Sequence, residues 1–170
     1  MKKSFVTLAA LFALVGSGSE AFATGSHEAG EAAVGAPGQA ARVTRTVTVD
    51  MTDNMRFNPG SVQASQGETI RFVVKNSGQV KHEFVLGSEK ELKEHYAMMM
   101  KMPEMEHADA NQVTVAPGKS GEVIWQFTKA GTINFACLQP GHYDAGMKGA
   151  VIVAAGKGGP KSDGHSDHKH

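Results

Sequence analysis

Among 170 residues there is a single cysteine, a single tryptophan and two tyrosines, and 17 basic side chains are balanced by 17 acidic ones. Each shortage excludes something. One cysteine rules out an intramolecular disulfide, so no covalent staple holds the chain. A formal charge of zero gives no footprint for nucleic acid, which proteins grip through an excess of Lys and Arg. The N-terminal apolar run, Phe5 to Val15, is about half of what a membrane-spanning helix needs.

That run carries the marks of export. Lys2 and Lys3 precede it and Ala21-Phe22-Ala23 follows as a small-x-small cleavage pattern. Residues 1–23 are therefore expected to be a signal peptide, cut after Ala23, rather than an anchor. The short basic start and the lack of a lipobox cysteine favour the periplasm as destination. Cleavage removes Lys2, Lys3 and Glu20 and leaves 15 basic and 16 acidic residues. Residues 24–41 are rich in Ala, Gly, Glu and Ser without apolar periodicity, and are expected to form a flexible lead. Residues 156–170 turn Gly-rich and end with His165, His168 and His170, which describes a disordered tail. Those histidines either collect Cu(II) or Zn(II) or are simply solvated.

Between the two ends the sequence alternates with period two. Val43 to Val49 places a β-branched apolar residue at every second position, as a half-buried strand requires. Further strands are expected at Val62 to Ser65, Thr69 to Lys75, Lys81 to Leu86, Gln112 to Ala116, Gly121 to Thr128, Thr132 to Cys137 and Gly149 to Ala154. Turn signals such as Asn58-Pro59-Gly60, Asn76-Ser77-Gly78 and Pro117-Gly118 separate them. One segment breaks the rhythm: Ser88 with Glu91 three residues on is a capping-box pattern that starts a helix, and Pro103 ends it. The expected fold is all-β, a Greek-key β-sandwich of seven or eight strands over residues 42–155, with a helical Met- and His-rich insertion at 88–107.

The single cysteine sits where chemistry is expected. In an oxidising compartment it is a free thiol, an intermolecular bridge or a metal ligand. Cys137 is followed five positions on by His142, and His142 five positions on by Met147. A thiolate, an imidazole and a thioether on one loop suit copper better than magnesium or calcium. The loop supplies three donors only, and His82, at a strand end in Val80-Lys81-His82-Glu83-Phe84-Val85, is the best candidate for a fourth. Two histidines, a cysteinate and a weak axial methionine form a mononuclear site for single-electron transfer. Gly141 and Gly146, each just before a ligand, either let the loop turn sharply or are ordinary loop glycines.

Asn58-Pro59-Gly60, Gly67-Glu68-Thr69-Ile70-Arg71-Phe72, His82-Glu83-Phe84, Pro117-Gly118 and the Cys137 to Met147 loop together resemble the cupredoxins, the type 1 copper proteins, over roughly residues 42–155. The ligand spacing is more similar to auracyanin than to plastocyanin. The Met-rich insertion beside Cys-Leu-Gln-Pro-Gly-His most resembles the small periplasmic cupredoxins associated with bacterial copper tolerance. The resemblance implies one copper, cycling between Cu(I) and Cu(II), bound in a plane by His82, Cys137 and His142 with Met147 as the long axial ligand. Glu83 departs from it: many cupredoxins place there an Asn that ties the two ligand loops together, so that role is unassigned.

Five methionines occur between Met98 and Met105. On a helix His95, Met98, Met99 and Met102 would share one face. They are either apolar gap-fillers or soft donors for additional, weakly bound Cu(I). Two functions follow, both non-enzymatic: a periplasmic electron carrier, or a copper-tolerance protein that sequesters or hands on copper. An oxidase or nitrite reductase would need further histidine-rich copper centres, and no His-x-His pair occurs within 42–155. A dinuclear centre would need a second cysteine. The expected partner is a redox protein or a copper-handling protein, met by a monomer with no membrane anchor after signal cleavage.

Overall fold

The structure, a computed structural model, describes residues 35–156 except 104, 106 and 107. The expected signal peptide, residues 24–34 of the lead, and the tail from 157 on lie outside the described residues.

Ten strands and one helix follow in chain order: β1 (Ala36–Pro37), β2 (Arg45–Thr52), β3 (Arg56–Asn58), β4 (Ser61–Ser65), β5 (Thr69–Asn76), β6 (His82–Gly87), α1 (Glu89–Met99), β7 (Gln112–Val115), β8 (Ser120–Gln126), β9 (Gly131–Ala136) and β10 (Lys148–Ala154). They form two five-stranded sheets, ordered β1-β8-β5-β2-β3 and β4-β10-β9-β6-β7. The sandwich expected from the alternation is present, with two short strands more than were counted.

Both extra strands escape a periodicity argument because they are too short to show one. β3 spans three residues and closes against β2, with Phe57 opposite Met51. β1 overturns part of the expected flexible lead: Ala36 pairs with Gln126 and Pro37 with Trp125 at the edge of the first sheet. Proline is tolerated there because an edge strand leaves one side without ladder partners. A 3₁₀ turn at Ala40–Arg42 then leads to β2.

Inward-facing residues of both sheets meet in one core. From β5 come Ile70, Phe72 and Val74, from β8 Val123 and Trp125, and from the opposite sheet Phe84, Leu86, Phe135, Val151 and Val153. Phe57 packs edge-on against Phe84 and Phe135, with ring centroids 5.9 and 5.1 Å away. Cys137 and Met147 belong to this same core, so two of the expected donors are held by apolar packing, one just past β9 and the other just before β10.

β6 is buried along its whole length. Its inner face joins the main core, while the outer face, through Val85, lies under α1 in a second cluster with Leu92, Tyr96, Met99, Ala136, Leu138 and Tyr143. That double cover explains the continuous apolar run Phe84-Val85-Leu86, which an alternating one-sided strand would not show. α1 starts as expected: the Ser88 hydroxyl accepts from the Glu91 amide at 3.3 Å while Glu91 Oε2 accepts from the Ser88 amide at 2.8 Å. The helix ends at Met99, with Met100 still in the helical region as its C-cap, short of Pro103.

Candidate metal centre

Three donor atoms converge at one end of the sandwich. Cys137 Sγ lies 3.2 Å from His142 Nδ1 and 3.9 Å from His82 Nδ1, and the two imidazole nitrogens are 3.2 Å apart. Among the described residues these three side chains form a group whose ligand atoms lie within 4.8 Å of one another. With bonds of about 2.0 Å to nitrogen and 2.3 Å to sulfur, three donors in a plane around one ion stand roughly 3.5–3.7 Å apart. The spacing and the soft donor set therefore fit a single first-row metal, copper above all.

Each donor is placed by backbone. β6 delivers His82 at its first residue, and the register of β6 on β9, with Val85 opposite Ala136, brings that end beside Cys137 just past β9. The Glu83 amide donates to Cys137 Sγ at 3.3 Å, a hydrogen bond that stabilises the thiolate. The loop from Cys137 to Met147 closes on itself. The Met147 amide donates to the His142 carbonyl at 3.0 Å, and the Met147 carbonyl accepts from the Cys137 amide at 3.1 Å. Gly141 and Gly146 take φ of +84° and +93°, the left-handed region that favours glycine, so the sharp-turn alternative holds at both.

The environment is dry. His82, Cys137 and Met147 are fully buried, and only His142 shows an edge to solvent. Burial pushes the Cys137 thiol up to about 12, more than the Glu83 and Gln139 amides can pull it down. The same desolvation, with the neighbouring His82 ring, lowers His142, so its imidazole is neutral and free to ligate near pH 7.

Three groups that hold the site were not assigned from the sequence. Asp53, in the turn after β2, accepts from His82 Nε2 at 3.1 Å and from the Gln79 and Val80 amides at 2.7 and 3.4 Å. The amide bonds, Gln79 first, keep its carboxyl below the usual range. An ionised carboxylate only accepts, so the proton of the His82 ring sits on Nε2 and Nδ1 faces the centre with its lone pair. Glu83 takes the role that the missing Asn left open: buried, it accepts from Gln139 Nε2 and from Thr114 Oγ1 at 3.3 Å, linking β6, β7 and the ligand loop. Tyr96 of α1 accepts from the Gly141 amide at 3.1 Å and donates to Asp144 at 2.9 Å, bracketing His142 on both sides.

The Met-rich face differs from expectation. Met99 is 1% exposed and packs with Leu92 and Tyr96, whereas Met98, Met100 and Met102 are exposed. The helix is rotated so that Leu92, Tyr96 and Met99, at positions i, i+4 and i+7, face the sheet, which separates Met99 from its methionine neighbours.

A Greek-key sandwich with two histidines and a cysteine gathered at one end defines a single-metal copper protein of the cupredoxin class. The chain belongs to the plastocyanin/azurin family of copper-binding proteins, whose family model matches residues 43–154. Among its relatives, it is 48% identical over 159 residues to the copper-resistant cuproprotein CopI of Rubrivivax gelatinosus, covering 90% of this chain and 96% of that one. With the copper-resistant cuproprotein CopI of Pseudomonas aeruginosa it shares 37% identity, covering 88% of this chain and 94% of that protein. Reduced auracyanin from Roseiflexus castenholzii has the same fold at a TM-score of 0.56 and 23% identity, covering 66% of this chain and 98% of its own.

Proposed function

We propose that the protein binds one copper ion through His82, Cys137 and His142, with Met147 as the weak fourth donor, and serves copper tolerance in the periplasm. The observation that carries this reading is the convergence of the two Nδ1 atoms and Sγ within 4.8 Å, at the end of the apolar core that contains Cys137. The two CopI relatives, described as copper-resistant cuproproteins and matched over nearly their full length, support tolerance as the role. Copper held by these residues would supply single-electron exchange between Cu(I) and Cu(II). The chain's own contribution is to hold both rings and the sulfur fixed, so that little moves when the charge changes.

Electron transfer to a redox partner is the second reading, favoured by the one exposed ligand edge at His142. Neither role requires a substrate, and the protein is proposed to be a monomeric binding protein rather than an enzyme. No helix among the described residues is long and apolar enough to cross a membrane.

Visible absorption and EPR spectra of the copper-loaded protein test the site. A thiolate charge-transfer band, absent in Cys137→Ser, is expected; a colourless Cu(II) complex, or a band that survives the substitution, overturns it. Growth of a deletion strain on high copper separates the roles. Rescue by the wild-type gene and not by Cys137→Ser supports tolerance, while unaltered copper sensitivity of the deletion strain leaves electron transfer.

A further inference from the structure

The turn between β2 and β3, with Arg56 at the start of β3, touches both segments that carry the site. On one side Asp53 accepts from His82 and from the Gln79 and Val80 amides. On the other, Arg56 reaches across 89 residues of sequence to the ligand loop. Its Nη1 donates to the Ala145 carbonyl at 2.9 Å and to the Met55 carbonyl at 2.7 Å. Ala145 stands two residues before Met147.

Both ends of this contact are shaped for it. Met55 takes φ of +57°, a region that non-glycine residues seldom occupy, and is half-buried against the main core. Such a conformation persists only where the surroundings fix it, and it marks a place to look for function. On the loop side, a Cβ at Gly146 would lie 3.1 Å from Arg56 Nη1, so the guanidinium rests against bare backbone. Glycine at 146 therefore serves this close approach as well as its φ of +93°.

The loop's own amides bond inward: Ala145 to the Gly141 carbonyl at 3.0 Å, Gly146 to Tyr143 at 3.1 Å and Met147 to His142 at 3.0 Å. Side chains from two other elements hold it from outside. Tyr96 of α1 grips Gly141 and Asp144 around His142. Arg56 grips Ala145 just ahead of Met147.

We infer that Arg56 is a positioning residue for Met147. It fixes the Ala145-Gly146 stretch from which the thioether enters the core, and so sets how closely that sulfur stands to a bound copper. The inference rests on the reading of Met147 as the weak fourth donor. The axial ligand of such a site tunes its reduction potential. With Ala145 released the thioether withdraws, its donation falls, and Cu(I) is favoured over Cu(II). Loss of the guanidinium charge acts in the opposite direction, because a nearby cation disfavours the more highly charged ion. The sign of the change separates positioning from charge.

Redox titration of the copper-loaded protein reads that sign. Arg56→Ala is expected to lose about tenfold in Cu(II) affinity relative to Cu(I), at the low end for an outer-shell partner, which raises the potential by about 59 mV. Arg56→Lys, which keeps a donor for Ala145, is expected to stay closer to wild type. Met147→Leu, a volume-conserving change, also raises the potential, and adding Arg56→Ala to it raises the potential no further. A constant or lower potential in Arg56→Ala overturns the inference, as does an equal rise with and without Met147. In the metal-free protein, hydrogen exchange of the Met147 amide is expected to be at least several-fold faster in Arg56→Ala, with the Glu83 amide unchanged; equal rates overturn the inference alone. A Met147→Leu variant with wild-type potential and visible band removes Met147 from the donor set and takes this role of Arg56 with it. A raised potential in Met147→Leu beside a constant one in Arg56→Ala sinks only the part assigned to Arg56.

Discussion

Glu83 and Gln139 are joined by a side-chain hydrogen bond, both buried, across 56 residues of sequence. Through it the strand that presents His82 and the loop that presents Cys137 and His142 move as one piece. Glu83 does this with a carboxylate whose second oxygen, Oε2, is buried without a hydrogen-bond partner.

Replacing Glu83 by Ala removes the acceptor for Gln139 and Thr114 and leaves a buried amide N–H group unsatisfied. Such a loss costs about 1–3 kcal/mol, which for a domain of this size lowers Tm by roughly 2–4 °C per kcal/mol. A cycle of Glu83→Ala, Gln139→Ala and the double variant isolates the link. Urea denaturation of the copper-free protein is expected to give a coupling energy of about 0.5–3 kcal/mol; strictly additive effects would show that the two sites are not tied.

Asp53 acts on a different property. Its carboxylate hydrogen bond to Nε2 makes the His82 ring a stronger donor, and a stronger donor favours Cu(II) over Cu(I). In Asp53→Asn the hydrogen bond is retained in weaker form without the charge. Outer-shell changes of this kind cost about 10- to 100-fold in metal affinity, and each tenfold loss specific to Cu(II) raises the reduction potential by about 59 mV. Redox titration of the variant should therefore find a higher potential with the visible band retained. A potential that stays put or falls would remove Asp53 from this role.

The parts of the molecule that depend on local pattern were legible in the sequence. Alternation in Val43 to Val49 and around Val123, Trp125 and Phe127 marked strands that the sheets contain, and Ser88 with Glu91 marked the helix start. The donors His82, Cys137 and His142 were legible because a lone cysteine followed by histidine and methionine has few other uses. What was illegible depends on pairing between distant strands. The parallel register of β2 on β5 sets Met51 opposite Asn76, and only that register brings Asp53 to the 77–80 turn and His82. Nothing within the Met51-Thr52-Asp53-Asn54 stretch signals it. Likewise the rotation of α1 follows from Leu92, Tyr96 and Met99 docking on Val85 and Leu138, not from the count of methionines.

Copper uptake should depend on pH with a definite sign. The Cys137 thiol, pushed up to about 12, is protonated at neutral pH and must lose that proton to ligate, whereas His142, lowered by burial, is already neutral. One proton is thus released for each copper bound, and apparent Cu(II) affinity rises about tenfold per pH unit from about 7 to about 11. Chelator competition at several pH values gives the slope. A flat profile would mean that the thiol is already ionised without metal or does not ligate.

Tyr96 couples the helix to the exposed ligand. Its hydroxyl holds Gly141 and Asp144 on either side of His142, while its ring stacks on Tyr143 with centroids 5.1 Å apart. Tyr96→Phe keeps the stacking and the packing on Leu92 and Met99 but releases both loop residues. The thermal cost is expected to be about 1–2 kcal/mol, the worth of hydrogen bonds of which one engages a charged carboxylate. The larger effect falls on kinetics, because His142 is the one donor with an edge to solvent and its loop now opens more often. Copper should leave the variant faster than wild type when challenged with excess chelator, while Asp53→Asn alters potential without loosening this loop. Equal release rates in Tyr96→Phe and wild type would show that backbone closure between Cys137, His142 and Met147 holds the loop unaided, and that the helix contributes packing alone.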